Sequence, residues 1–314
     1  MPANVTLVTA CDKNYLWGAF LLAASAARHL PKVPLHVVQT GFSAEDIAFF
    51  TQFPLVSVLP LAADDPRNVA NRKAEALLTA ESEYLGWLDA DCMITGDIEP
   101  MLIPENGEFQ IRLRGEAENA QVWSNHYAAG EPHHGVPAAV LAQWCCDVGQ
   151  LTTPNHNTAC VTNAFILHRR HLDFIRQWKS QIAKVIAPAN TGVVDRRSRP
   201  YFMIDESVLS SLLAFSAIAP PVAPYQLDRV RQAHVAHFGV NPKPWKRWRK
   251  QFWPYHAAVM DLIDWLHTNG RAVPPIPWSL RRSSTPLAWA IAQADAPYAK
   301  LRTFGGDLLR RWSS

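Results

Sequence analysis

Short apolar runs alternate with helical stretches through the N-terminal third of this chain, and that alternation leaves few folds open. "NVTLVTAC" predicts a strand, followed by a helix rich in Ala and Leu from about Leu16 to His29. "VPLHVVQT" predicts a second strand, and "SAEDIAFFTQF" a helix with Ser43 as its N-cap and Asp46 in its first turn. "LVSVLPL", "NRKAEALLTA" and "YLGWLDAD" read as strand, helix and strand. Strands that alternate with helices pair in parallel, with helices covering both faces of a doubly wound sheet. The expected fold class is therefore α/β.

The fourth strand raises the functional question. Tyr84-Leu85-Gly86-Trp87-Leu88 is an apolar run of the kind a parallel sheet hides on both faces, and it leads directly into Asp89-Ala90-Asp91. A buried carboxylate without a partner is costly, and in an open α/β sheet the C-terminal ends of the strands are where ligands bind. A divalent metal satisfies both conditions, because two carboxylates are hard oxygen donors suited to Mg²⁺ or Mn²⁺. The plainer alternative is a pair of solvated loop aspartates. No GxGxxG and no GxxxxGK[ST] occurs, so any phosphate must be held by metal and basic side chains rather than by a glycine-rich loop.

After Asp91 the rhythm loosens. "GEFQIRL" and "NAFILHR" read as strands, separated by a polar, His-rich stretch from Asn119 to Thr158 that reads as a long loop. "RRHLDFIRQWKSQIAKVI" and "DESVLSSLLAF" read as helices. A second chemical element follows in "HFGVNPKPWKRW". His237 is a nitrogen donor that shifts a carboxylate site from Mg²⁺ toward Mn²⁺. Lys243 is a compact point charge suited to a diphosphate, in a loop stiffened by Pro242 and Pro244.

Charge is uneven along the chain. The whole carries +3, too little to argue for nucleic acid. From Lys243 onward twelve Lys/Arg face four acidic residues, a surplus of eight, so residues 1–242 carry a net charge of −5. Seven of the twelve tryptophans lie at or after Trp245. The expectation is a body over residues 1–245 and a basic, Trp-rich helical extension over residues 246–314. Five cysteines without a CxxC pair read as reduced thiols of a cytoplasmic protein. "MPANVTLVTA" lacks the basic start of a signal peptide. Basic residues interleaved with tryptophan suit peripheral contact with an anionic inner-membrane face, and the competing reading packs those tryptophans on the body.

Taken together, "LGWLDADCMITGDI" and "HFGVNPKPW" resemble glycosyltransferase family 8, the family of bacterial lipopolysaccharide galactosyl- and glucosyltransferases and of glycogenin. The resemblance spans about Val5 to Trp245. It implies a GT-A fold, a Rossmann-like and mostly parallel sheet flanked by helices. It also implies a UDP-sugar donor, Mn²⁺ with Mg²⁺ as substitute, retention of configuration, and a saccharide or glycolipid acceptor. Carried over residue by residue, Asp89, Asp91 and His237 match the metal ligands and Lys243 the diphosphate lysine, with Ala90 between the aspartates. The turn holding Ala10, Asp12, Asn14 and Tyr15 is similar to the uridine pocket: Asp12 for the uracil N–H, Asn14 for the ribose region, Tyr15 for stacking. Arg72 and Lys73 precede the Asp89 strand where the family has a basic residue that reaches the donor sugar and diphosphate, and Arg72 is the one at the matching spacing. Asn163 matches an asparagine that bonds donor-sugar hydroxyls. Asp205 would hold sugar hydroxyls, and Glu206 would lie beneath the anomeric carbon. Three positions depart from the family: Gly239 comes one residue early, Phe165 replaces a glycine, and Glu206 replaces a glutamine. Two other functions stay open on the sequence, a nucleotidyltransferase and a catalytically silent carbohydrate-binding relative.

Overall fold

The computed structural model describes residues 4–62, 65, 67–104, 108–187, 200–223 and 234–294. Its centre is a seven-stranded sheet in the order β3-β2-β1-β4-β7-β6-β8. The strands are β1 (Val5–Asp12), β2 (Leu35–Thr40), β3 (Val56–Pro60), β4 (Tyr84–Leu88), β6 (Phe109–Leu113), β7 (Cys160–His168) and β8 (Val222–Ala223). β1 to β4 run parallel, as the alternation predicts. β7 alone runs against its neighbours β4 and β6. Apolar periodicity marks a buried strand but carries no information about its direction, so this reversal lies beyond a reading of the sequence.

Side chains alternate faces along each strand, and the two faces build two cores. Leu7 and Leu88 pack on one side, Val8 and Trp87 on the other. The first face is covered by α1 (Leu16–His29) and α8 (His256–Thr268), the second by α3 (Lys73–Leu77), α6 (Leu172–Val185) and α7 (Asp205–Phe215). Between β2 and β3, α2 (Ala44–Thr51) begins with the expected Ser43 cap. Ser43 Oγ accepts from Asp46 N–H and the Asp46 carboxylate accepts from Ser43 N–H, a reciprocal capping box.

The stretch read as a loop from Asn119 to Thr158 contains the end of α4 (Glu116–Val122) and all of α5 (Ala138–Val148). Pro137 precedes the first turn of α5 and Gly149, at φ 68°, ends it in the left-handed conformation. Val140 and Trp144, one turn apart, anchor its inner face in the second core. Each such buried side chain contributes about 1.5–3 kcal/mol.

Residues after 245 enter the first core. Trp248, Phe252, Val259, Ile263 and Leu266 pack with Phe20 and Leu21 of α1. The Trp248 indole N–H donates to the Ser279 carbonyl, and that of Trp17 to Pro275. Trp253 and Trp265 are half-buried against the same core, whereas Trp278 and Trp289 remain 37% and 52% exposed. Trp312 and the basic residues Lys300, Arg302, Arg310 and Arg311 lie outside the described residues. No helix among the described residues is long and apolar enough to cross a membrane.

Candidate functional site

The turn after β1 and the end of β4 flank a cavity of about 300 Å³. Ala10, Asp12 and Tyr15 line it from the first turn, Asp89, Ala90 and Asp91 from the fourth strand, and Lys73 and Asp205 from their helices. These sequence-selected residues are thus brought together at the C-terminal edge of the parallel strands, where the topology places a ligand. Close approach of α1 makes this possible. A Cβ on Gly18 would lie 2.4 Å from the Ala90 carbonyl oxygen and 2.6 Å from the Trp245 ring, so only glycine lets the helix lie against the Asp89-Ala90-Asp91 loop.

His237 reaches the site through a second, two-stranded sheet. β5 (Cys92–Ile94) pairs antiparallel with β9 (Val235–His237), with Cys92 opposite His237. Phe238 N–H also donates to the Asp91 carbonyl at 2.9 Å. The His237 Nε2 atom thereby sits 3.3 Å from Asp91 Oδ1 and 3.9 Å from Asp89 Oδ2. Asp91, Cys92 and His237 bring oxygen, sulfur and nitrogen donors within 4.8 Å of one another. Gly239 does its work against this histidine: a Cβ there would meet the imidazole Cε1 at 2.6 Å.

Two lysines hold the acidic cluster together. Lys73 Nζ lies 2.8 Å from Asp89 Oδ1 and 3.1 Å from Asp205 Oδ2. Lys243 Nζ is ion-paired with Asp91 Oδ2, donates to the Phe238 carbonyl, and stands 5.4 Å over the Tyr15 ring. Burial raises the Asp91 carboxyl, but His237 and Lys243 outweigh it and hold the group well below the usual carboxylate range. Burial works against the Lys73 ammonium, yet Asp205 and Asp89 raise its pKa above that of an ordinary lysine. Asp205 is raised, first by burial, with Lys73 opposing and Asp89 adding to the rise. Three carboxylates against two ammoniums leave a net negative charge, the sense that suits a divalent cation.

The remaining sequence-selected residues are placed differently. Asp12 caps the turn after β1, accepting from Asn14 N–H at 2.9 Å, and Asn14 itself is exposed. Arg72 turns away from the cavity: its guanidinium bonds Glu75 and the Asp65 and Ala62 carbonyls, and it is Lys73 that points inward. Asn163 is 6% exposed, does not line the cavity, and has its amide nitrogen 2.7 Å from His237 Nδ1. Glu206 is likewise absent from the cavity lining and is bound to Arg114 at 2.6 Å, with Thr162 N–H 3.4 Å from its other oxygen. Burial raises the Glu206 carboxyl and Arg114 pulls it back.

Residues the sequence did not single out complete the site. Asn68, Val69, Ala70 and Asn241 line the cavity. Asn68 caps the helical turn before Lys73, accepting from Ala70 N–H, so an N-cap signal was available there. Thr162 donates its hydroxyl to Asp205 at 2.9 Å, and Trp87 donates its indole N–H to Asp89 at 2.8 Å. Ile204, just before Asp205, has φ 56° and ψ −120°, which a β-branched residue adopts only under strain of about 1–3 kcal/mol. Ile204 is buried at 3% exposure in the second core.

No protein-family profile and no curated protein matches the chain. Solved structures do. The bifunctional glycosyltransferase WbbM, in its apo form, superposes with a TM-score of 0.50 at 11% identity, over 77% of this chain and 46% of that one. The glycosyltransferase GlyE of Streptococcus pneumoniae TIGR4 gives 0.49 at 12% identity, over 86% and 64%. The galactosyltransferase LgtC, solved with donor and acceptor sugar analogs, gives 0.45 at 14% identity, over 76% and 89%. At such identities the likeness concerns the fold, which is GT-A, with its mostly parallel central sheet flanked by helices.

Proposed function

We propose that this chain is a glycosyltransferase that moves a hexose from a UDP-sugar to a saccharide or lipid-linked acceptor with retention of configuration. The observation that carries the reading is the convergence on one cavity of the first-turn residues Asp12 and Tyr15 with the carboxylates Asp89, Asp91 and Asp205. Asp89, Asp91 and His237 form an oxygen and nitrogen donor set that fits Mn²⁺, with Mg²⁺ as the harder substitute. When bound, the ion supplies Lewis-acid neutralisation of the diphosphate leaving group.

The chain's own residues do the rest. Tyr15, half-buried, T-shaped to Trp245 with ring centres 6.0 Å apart and lining the cavity, is the ring on which a base would stack. Asp12 accepts the uracil imide N–H with the carboxylate lone pairs its cap leaves free, which discriminates against cytosine. Lys243 adds positive charge beside the diphosphate. Lys73 holds Asp89 and Asp205 in register, so that Asp205 presents an oxygen to donor hydroxyls. Glu206, fixed by Arg114, acts as a negative charge behind the site rather than as a free nucleophile. A thermal-shift panel in Mn²⁺ tests the donor: UDP is expected to raise Tm more than GDP or CMP, and a larger shift with GDP or CMP contradicts this account of the pocket.

We also assign the segment after residue 245 a part in placing the enzyme at an anionic membrane surface. Support comes from the exposed Trp278, Leu287 and Trp289 and the exposed Arg281, with Arg282 exposed but paired with Asp264. The full-length protein is expected to co-sediment with anionic vesicles and not with neutral ones. Equal absence from both at low salt returns these residues to a solvent-facing role.

A further inference from the structure

Asn163 touches both halves of the metal-binding set. Its backbone carbonyl on β7 accepts from Asp89 N–H at 2.9 Å, and from the Cys92 thiol at 3.9 Å. Its side chain faces His237 Nδ1 at 2.7 Å, while the opposite ring atom, Nε2, faces Asp91 and Asp89. The other side-chain atom, Oδ1, is buried with no hydrogen-bond partner. A buried amide oxygen left unsatisfied is costly, and its presence beside a metal-facing histidine calls for a reason.

The chemistry of imidazole supplies one. With Asn163 Nδ2 donating to Nδ1, the ring hydrogen sits on Nε2 and points at the carboxylates. An Nε2 that ligates a cation must instead carry its hydrogen on Nδ1. That hydrogen then needs an acceptor, and the nearest polar group is this same amide. Turning the amide over exchanges Nδ2 for Oδ1, atoms of nearly equal size, and places the unsatisfied oxygen at hydrogen-bond distance from Nδ1–H.

We propose that Asn163 is a positioning residue for the metal ligand His237: its amide fixes the imidazole plane and accepts the Nδ1 hydrogen, leaving the Nε2 lone pair for the cation. The inference rests on the Mn²⁺ site proposed above and gives Asn163 a role other than contact with donor-sugar hydroxyls. Partners that orient a ligating histidine in this way govern affinity by 10–100-fold when removed. Gly239 is the complementary constraint, since the ring packs where its Cβ would be.

The test is Mn²⁺ binding to the full-length chain without nucleotide or sugar, followed by the paramagnetic resonance signal of free Mn²⁺. Asn163→Ala is expected to weaken binding by about 10–100-fold, and Asn163→Asp, which still accepts the Nδ1 hydrogen, to stay within about threefold of the parent. A sugar-contact role alone leaves Mn²⁺ affinity in Asn163→Ala unchanged, and that result overturns the proposal. Should Asn163→Ala not fold, ¹⁵N-histidine spectra of the parent with Mg²⁺ give an independent check, His237 being assigned by comparison with His237→Gln. Protonated Nδ1 and metal-bound Nε2 support the proposal; a hydrogen retained on Nε2 overturns it. Failure of the parent itself to bind Mn²⁺ overturns the metal site and this inference with it, a result distinct from equal binding by parent and Asn163→Ala.

Discussion

Replacing Asp91 by Asn is expected to weaken Mn²⁺-dependent UDP binding by roughly a hundredfold, ~2.7 kcal/mol, in calorimetry. The substitution keeps the shape of the side chain and removes its charge. Asp91 is 6% exposed and serves three partners at once: His237 on Oδ1, Lys243 on Oδ2, and Phe238 N–H through its backbone carbonyl. The backbone contact survives in the variant, so β5 and β9 should still pair and present His237. What disappears is the charge that faces the cation, together with the carboxylate that compensates Lys243, itself 4% exposed. Lys243 is then drawn toward any anion in the cavity, so residual UDP binding should lose its dependence on Mn²⁺. Binding by Asp91→Asn as tight as that of the parent in Mn²⁺ contradicts the ligand assignment.

Arg114→Ala should destabilise the fold by about 3 kcal/mol, the lower end for breaking a buried ion pair, since the two side chains retain 13% and 14% exposure. The cost comes from Glu206, left in a low-dielectric setting without its counter-charge. Its carboxyl is already raised by burial, and losing Arg114 removes the main influence pulling it down. A carboxyl raised in the folded state binds its proton more tightly than the unfolded chain does. Stability of the variant must therefore fall as pH rises from the ordinary carboxylate range through the raised pKa, and recover on acidification. Adding Glu206→Gln should restore most of the loss, because the neutral amide needs no counter-charge. Denaturant titrations across pH check all three statements. A loss independent of pH and untouched by Glu206→Gln would assign Arg114 to packing of its side-chain stem rather than to charge compensation.

How much of this was legible in the sequence depends on distance along the chain. The capping box at Ser43 and Asp46 and the span of α1 follow from local chemistry, and both appear where the residues indicate. β4 is buried throughout, as its apolar run implies. Spacing alone selects Arg72, yet it is Lys73 that faces the cavity. Neighbouring helical residues point about 100° apart, and only the packing of α3 on the sheet decides which one faces the cavity. The ion pair between Arg114 and Glu206 and the contact of Asn163 with His237 join residues far apart in sequence and carry no local pattern. The tryptophans after residue 245 illustrate a third limit. Basic residues among aromatics describe both a membrane-facing surface and a core-packing face; Trp248 is buried in the core, whereas Trp289 is exposed.

Metal-dependent sugar transfer from a nucleotide donor is tested most directly by following the donor itself. NMR of the full-length protein with α-linked UDP-hexoses should show release of UDP in Mn²⁺ and not in excess chelator. The first-formed hexose product, whether transferred to an acceptor or to water, should carry the α configuration. A first-formed β product would contradict the retaining assignment; UDP release of equal rate in chelator, or no turnover of any UDP-hexose by a protein that binds Mn²⁺ and UDP, would contradict the account as a whole.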